Sequence, residues 1–192
     1  MINTTNLILK DPQISARGAK SCPILNAQGE KVYFNLGNKS KPVSTPFGAT
    51  SFNDEATSRK TIEFNLTEEQ EEQFKRFDEW AIGYLSEHSE RLFKKKLTPD
   101  QVREGYRSPV TKKGSYRGHL RCKINSSGTT MARCWNMEDK RREMPADLRN
   151  HEMVPRINVS HLWMMSREYD WVLQVNDLMV CEGVEVCPFA ES

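Results

Sequence analysis

The hydrophobic pattern changes its period twice along this chain of 192 residues. Residues 60–66 alternate apolar and polar side chains, which is typical of a half-buried strand. Residues 67–85 then repeat apolar side chains at helical spacing, behind a capping pair of Thr67 and Gln70 and a run of glutamates. Residues 118–124 return to strict alternation. This succession predicts a sheet with one amphipathic helix packed against it.

Other segments also have strand character. Four of them place short apolar or alternating runs between turn residues, namely residues 6–10, 31–35, 154–165 and 171–180. Residues 118–124 and 130–135 flank a polar turn and are predicted to pair as a hairpin. Thr98 and Pro99 open a second, short helix. The order predicts an α+β fold, mainly β: an OB-like Greek-key β-barrel with one main amphipathic helix and a second short helix.

The length and polarity of the chain fit a single soluble domain. A chain of this length can bury a core of its own, and residues 1–182 are predicted to form one domain before a short C-terminal tail, residues 183–192. The mean hydropathy is −0.70, and no stretch reaches the ~18 apolar residues of a membrane span. The first ten residues lack the pattern of a signal peptide, so an intracellular location without a membrane partner is expected.

Chemically reactive residue types occur without the spacing that catalysis or metal binding requires. The five cysteines are odd in number and include no Cys-x-x-Cys pair, and the four histidines are scattered. The sequence has no Walker phosphate loop, no Gly-x-Gly-x-x-Gly motif and no nucleophile motif. These observations predict reduced cysteines, no bound metal, no cofactor and no enzymatic activity.

The formal net charge of +2 is the difference between two large blocks of opposite sign. Residues 91–142 hold 15 Lys and Arg against 4 Asp and Glu, whereas the rest of the chain holds 13 against 22. Local potential, rather than total charge, concentrates a polyanion at a surface. The basic block therefore indicates a polyanion-binding surface, and two solvated faces of opposite charge are the alternative explanation.

Aromatic residues are interleaved with the cations of this basic block. Single-stranded nucleic acid needs both, because phosphates attract cations while unpaired bases stack on aromatic rings. OB-type barrels bind oligonucleotides across a strand face and the adjoining loops, and no basic helix in the sequence suits the major groove of a duplex. Tyr106 and Trp135, taken singly, also fit core positions. The predicted contact residues are Phe93, Lys94, Lys95, Lys96, Tyr106, Lys112, Lys113, Tyr116, Arg117, Arg121, Lys123, Trp135, Lys140, Arg141 and Arg142.

A series of short motifs occurs between residues 41 and 182 in a characteristic order and spacing. They are residues 45–48 with Phe52, 61–66, 77–79, 92–96, 98–102, 106–110, 120–124, 155–165 with Trp163, and 171–180. Together they resemble the replicative single-stranded-DNA-binding proteins of podophages, in the form found in large DNA viruses of algae and protists. The resemblance covers about three quarters of the chain and rests on the order of the motifs rather than on any one of them.

The resemblance implies an OB-fold protein that coats single-stranded DNA in replication, recombination or repair, without catalysis. It places nine of the predicted residues on or near the DNA path: Phe93, Lys94, Lys95, Tyr106, Lys112, Lys113, Tyr116, Arg121 and Lys123. It also implies replication proteins as partners and the nucleus or a viral replication site as location. The phage proteins end in a strongly acidic tail that recruits partners and occupies the DNA groove, whereas residues 181–192 hold only three acidic residues.

Two other functions fit the same residues. Single-stranded RNA is one, because stacking and phosphate contacts serve both nucleic acids and only a 2′-hydroxyl preference separates them. A non-catalytic interaction or structural module is the other, with the basic block against an acidic protein surface. In that case the two charge blocks could also pair between copies, as a homodimer or a head-to-tail oligomer.

Overall fold

The computed structural model describes residues 2–16, 18–51, 59–112, 114–149, 151–165 and 167–181. Its helices are a 3-10 turn (Thr4–Asn6), α1 (Glu68–Glu87), α2 (Ser89–Phe93) and α3 (Pro99–Gly105). Its strands are β1 (Ile8–Leu9), β2 (Gln13–Ile14), β3 (Lys20–Leu25), β4 (Tyr33–Asn35), β5 (Val43–Ser44), β6 (Ala49–Thr50), β7 (Arg59–Asn65), β8 (Tyr106–Arg107), β9 (Val110–Thr111), β10 (His119–Asn125), β11 (Arg133–Trp135), β12 (Arg141–Arg142), β13 (Glu152–Met165) and β14 (Glu168–Cys181). Lys113, Phe52 and the predicted tail lie outside the described residues.

A long antiparallel hairpin of β13 and β14 forms the centre of the sheet, with register shifts at Arg156/Ile157 and Val159/His161. Strands β3, β4 and β5 pair with β13, while β10 and β11 pair in parallel with β14. The main strand order is β1-β3-β13-β14-β10-β7-β6. Within the described ranges the end strands β1 and β6 do not pair with each other, so the barrel is open. The predicted α+β, mainly β, OB-like class is confirmed.

The hairpin predicted for residues 118–124 and 130–135 is wrong. Strand β10 pairs antiparallel with β7, and β11 pairs in parallel with β14, with Arg133 opposite Asp177. The two segments therefore follow each other along one edge of β14. The physical reason is the length of β14: its backbone groups beyond the end of β10 still need hydrogen-bond partners, and β11 supplies them.

Helix α1 begins at the capping pair that the sequence predicts. The Thr67 hydroxyl accepts from the Gln70 N–H, and the Gln70 side chain accepts from the Thr67 N–H. Its apolar stripe is buried, and the Phe77 ring meets Trp171 of β14 edge-on at 5.3 Å. The short helix α3 has the same type of capping box at Thr98 and is the predicted second helix. Helix α2 has no signal among the patterns that predict α1 and α3.

Alternation along the strands decides which side chains face α1 and the core. On β10, Leu120, Cys122 and Ile124 are buried, while Arg121 and Lys123 are half-buried on the opposite side. The same alternation runs along β7 and most of β13 and β14, and it is interrupted where residues 157–159 and 177–178 are buried in succession. We call the side of the sheet that faces away from the core the outer sheet face, and it carries the polar side chains of all four strands.

Candidate nucleic-acid interface

The outer sheet face brings together cations and an aromatic ring from three strands. Arg121 and Lys123 come from β10, Arg59 from β7, and His161 and Trp163 from β13. We call these five residues the Trp163 patch. Register connects them: Trp163 lies opposite Asp170 of β14, and the Arg121 guanidinium donates to Asp170 Oδ2 at 2.7 Å.

Three cations of the Trp163 patch, Arg59, Arg121 and Lys123, repel one another. Burial lowers the pKa of Lys123, and the charges of Arg59 and Arg121 lower it further. Burial likewise lowers the pKa of His161, again with a contribution from Arg59. Burial raises the pKa of Asp170, although Arg121 and Lys123 oppose that shift. An anion placed here would relieve the repulsion, so the patch is suited to a phosphate.

The Trp163 ring is half-buried on the outer sheet face. Its strand neighbours there are Ser21 on β3 and Asp170 on β14. Within the described part of the chain, Trp163 has no aromatic partner and its indole N–H has no hydrogen bond. The other tryptophans differ: Trp80 and Trp171 stack in the core, and Trp135 donates to Asp177. Trp163 is therefore a partly exposed indole that no described aromatic ring or hydrogen-bond acceptor engages, which suits it to stack on a base.

Three buried polar atoms on β13 and β14 have no hydrogen-bond partner among the described residues: Asp170 Oδ1, Gln174 Nε2 and Asn158 Oδ1. Asp170 lies opposite Trp163, whereas Gln174 lies four residues farther along β14, opposite both Lys123 and Asn158. A buried polar atom without a partner costs free energy. The polar residues of the two strands therefore continue from Trp163 toward Asn158.

A second cationic and aromatic cluster surrounds Asp177 farther along β14. Arg133 Nε donates to Asp177 Oδ1 at 2.7 Å, and the Trp135 indole N–H donates to the same oxygen at 2.9 Å. Arg156 Nη1 lies 3.9 Å from Asp177 Oδ2, and its guanidinium stacks 4.4 Å above the Tyr33 ring centroid. We call these residues, together with Arg141 beside Trp135, the Asp177 cluster.

The predicted cations of residues 140–142 have different environments. Arg141 lies 6.0 Å from the Trp135 ring centroid and belongs to the Asp177 cluster. Lys140 donates to Glu138 at 2.7 Å on an exposed turn. Arg142 pairs with Cys134 across β11 and β12. The structure thus brings Trp135 and Arg141 onto the outer sheet face and leaves Lys140 at its margin.

The predicted basic loop before β10 is anchored to helix α1. Glu71 is buried, accepts from the Gly118 N–H and pairs with Lys112, both at 2.7 Å. The Gly118 N–H, and then Lys112, lower the pKa of this carboxyl. Tyr116 is 76% exposed and Arg117 lies beside the N-terminus of α1. Lys112 is therefore partly neutralised, whereas Tyr116 and Arg117 point into solvent.

The lysine triplet lies at the turn end of the β13–β14 hairpin. Lys94, Lys95 and Lys96 are exposed, and none of them has an acidic partner among the described residues. Phe93 packs on Tyr169 with ring centroids 4.7 Å apart and is partly buried against the core. The three lysines can attract phosphates without a fixed geometry, while Phe93 is already in use as a packing residue.

The structure places Tyr106, one of the predicted contact residues, in the core rather than on the outer sheet face. It is 9% exposed, and its hydroxyl donates to Asp78 Oδ1 at 2.7 Å. Burial raises the pKa of Tyr106, and the Asp78 carboxylate raises it further. The ring lies in the core because β8 pairs with β14 and places Tyr106 opposite Tyr169. Tyr106 is a structural residue with no face free for a base.

Sequence reasoning missed several residues of the outer sheet face. These residues include Trp163, Arg59, Arg156 and Tyr33, together with the carboxylate of Asp177. The alternation of apolar and polar side chains in residues 154–165 already predicts that Trp163 lies on the polar face. This pattern could therefore have identified Trp163 as a candidate contact residue. Arg59, Arg156 and Tyr33 lie outside the basic block, and only strand register brings them to it.

The described residues also bear on other classes of site. In the described ranges no three His, Cys, Asp or Glu side chains gather as they would around a metal ion. Cys22, Cys122, Cys134 and Cys181 are buried and form no disulfide, while Cys187 is outside those ranges. None of the described helices is both long and apolar enough to span a membrane.

Comparison with known proteins identifies structural but not sequence relatives. No protein-family model and no curated protein matches the chain. The crystal structure of gp2.5, a single-stranded DNA-binding protein of bacteriophage T7, superposes with a TM-score of 0.52 and 13% identity, over 79% of this chain and 87% of that one. The single-stranded DNA-binding protein of bacteriophage Enc34 in complex with ssDNA gives 0.50 and 10%, over 92% and 97%. Its C-terminal truncation gives 0.50 and 11%, over 95% and 99%. The chain therefore has the fold of these phage proteins.

Proposed function

We propose that this protein is a non-enzymatic single-stranded-DNA-binding protein that coats its ligand largely independently of sequence. The observation that carries the proposal is the Trp163 patch: an unpartnered indole beside mutually repelling cations on the outer sheet face. Stacking and phosphate contact are the two interactions that sequence-tolerant binding of a single strand requires. A duplex offers no unstacked base to Trp163.

Two further facts support the proposal. Among the chains that share this fold is one described as bound to ssDNA. The predicted cations that remain exposed, among them Lys94, Lys95 and Arg117, lie in loops between elements rather than along one helix, as expected where the loops of a barrel assist strand binding.

The proposal extends to the biological setting. We infer a role in replication, recombination or repair, and membership of the podophage-type family in its large-virus form. Replication proteins and a second copy of the chain are the expected protein partners, with the nucleus or a viral replication site as location. Residues 1–182 are proposed to act as one DNA-binding domain, with residues 183–192 as a short tail.

Fluorescence anisotropy with labelled oligo-dT tests the proposal. We expect saturable binding, with competition by unlabelled oligo-dT far stronger than by the matching duplex. Arg121→Gln should weaken binding severalfold, whereas Arg103→Gln, which removes a cation paired with Glu79 on the helical side, should not. Equal competition by duplex would contradict the proposal. Stronger competition by oligo-U than by oligo-dT would assign the protein to single-stranded RNA instead.

A further inference from the structure

The outer sheet face carries two separate groups of aromatic and cationic side chains. Trp163 lies opposite Asp170 of β14, whereas Trp135 lies opposite Met179, nine residues farther along the same strand. At about 3.3 Å per strand residue the two rings are roughly 30 Å apart. Lys123, opposite Gln174, lies between them. A single strand that crosses the face would therefore meet two stacking rings with a cation between them.

The Asp177 cluster is a built arrangement rather than a chance accumulation of surface charge. Asp177 is 8% exposed and accepts from Arg133 and from the Trp135 indole N–H. Burial opposes the ionisation of Asp177, yet the hydrogen bonds from Arg133 and Trp135 keep its pKa below the usual value. One buried carboxylate thus fixes the orientation of an indole and of a guanidinium.

The cations of this cluster remain accessible although they are held in place. The side chains of Arg133 and Arg156 are 47% and 51% exposed. Arg156, Arg133 and Arg141 carry three positive charges against the single charge of Asp177, so the cluster retains a net positive charge. Arg156 stacks on the Tyr33 ring while the outer edge of its guanidinium remains exposed. Such a guanidinium is well suited to bind phosphate, because it presents a rigid set of donors.

We propose that the Asp177 cluster is a second strand-binding subsite, with Trp135 as its stacking ring and Asp177 as its positioning residue. This inference rests on the proposed function. It gives the protein two separate subsites for one strand of single-stranded DNA. A strand long enough to reach both subsites binds the second one intramolecularly, at a high effective concentration. A strand that is too short occupies either subsite independently.

Calorimetric titration with two lengths of oligo-dT tests this proposal. The lengths are about 4 and about 16 nucleotides, the two ends of the range known for one OB fold. We expect about two short strands, or about one long strand, per chain. Trp135→Leu should reduce the short-strand stoichiometry to about one and weaken long-strand binding by about tenfold, and Trp163→Leu should do the same.

Asp177→Asn distinguishes the positioning role of Asp177 from the effect of its negative charge. This variant keeps the Trp135 ring, so its result does not depend on whether the fold tolerates the loss of that ring. Removing an acid from a DNA-binding face should tighten binding if only net charge mattered, whereas loss of positioning should remove the second short strand. Glu63→Gln is the matched control, because Glu63 lies on the same face and, in the part of the chain that the structure describes, its carboxylate pairs with His119 and with no other side chain. It should leave both short strands bound.

The outcomes distinguish this inference from the proposed function. Long strands that fail to bind would overturn the proposed function itself. Long-strand binding together with fewer than two short strands on the native chain would overturn the second subsite alone. So would two short strands that persist in Trp135→Leu or in Asp177→Asn.

Discussion

The outer sheet face and the exposed basic segments differ in how firmly their cations are held. On the face, Arg121 is paired with Asp170, and Arg133 with Asp177. In the segments before α3 and before β10, Lys94, Lys95 and Arg117 extend into solvent without an acidic partner among the described residues. The face therefore offers fixed geometry for stacking and directed contact. The segments offer charge that attracts any phosphate, at a strength set by salt.

The largest expected effect on binding is the loss of the Trp163 ring. Trp163→Leu should weaken oligo-dT binding by about tenfold or more, because stacking on one base is worth roughly 1–3 kcal/mol. Anisotropy titration measures it. Tyr84→Leu is the control, since Tyr84 stacks with Trp80 on α1, away from the outer sheet face. An equal loss in both variants would indicate a general effect on folding rather than on stacking.

Removal of the lysine triplet should weaken DNA binding less than the loss of Trp163, and it should act on the salt dependence of binding rather than on base stacking. Replacing Lys94, Lys95 and Lys96 together by Ala should weaken binding to all sequences alike. It should also flatten the dependence of log K on log salt by up to about 2, at about 0.7 per phosphate contact. Titrations at several salt concentrations on oligo-dT and a mixed sequence measure both. An unchanged slope would place the triplet outside the DNA path.

Glu71 anchors the basic loop before β10, and its replacement should affect the stability of the folded protein more than the binding of DNA. Glu71→Gln should change affinity by no more than about twofold, but it should cost about 1–3 kcal/mol of unfolding free energy, the value of a hydrogen-bonded charged pair. The pKa of Glu71 is lowered, so its stabilisation is complete above its unfolded pKa of about 4.3 and is lost as the pH falls through the lower folded pKa. Melting temperatures of both proteins should therefore converge toward pH 3. A constant difference would argue against this carboxylate as the anchor.

The smallest effect is expected on the helical side of the molecule. Arg103 forms two 2.7 Å hydrogen bonds with Glu79, but both side chains are largely exposed. Arg103→Gln should lower the melting temperature only slightly, because an exposed ion pair contributes little, and it should leave oligo-dT affinity unchanged. Thermal unfolding and anisotropy measure the two. Weakened DNA binding in this variant would extend the interface onto α1 and α3.

Local patterns predicted the main helix, the alternating strand β10 and the final strand pair. Each of these elements shows its secondary structure in the spacing of apolar residues within its own segment. Pairing partners were not accessible in this way. The site of β11 was decided by the unpaired backbone of β14, which no local pattern reveals. The burial of Tyr106 followed from the pairing of β8 with β14. Charge counting likewise identified the basic block but missed Arg59 and Arg156, which reach the same face from outside it.

The central claim is that single-stranded DNA lies on the outer sheet face. Photocrosslinking with oligo-dT that carries 5-bromodeoxyuridine, followed by mass spectrometry of the peptides, tests it most directly. We predict crosslinks in β13 around Trp163, with a second group in β11 around Trp135 on long strands. Crosslinks confined to α1 and α3, with none in β10, β11 or β13, would contradict the account.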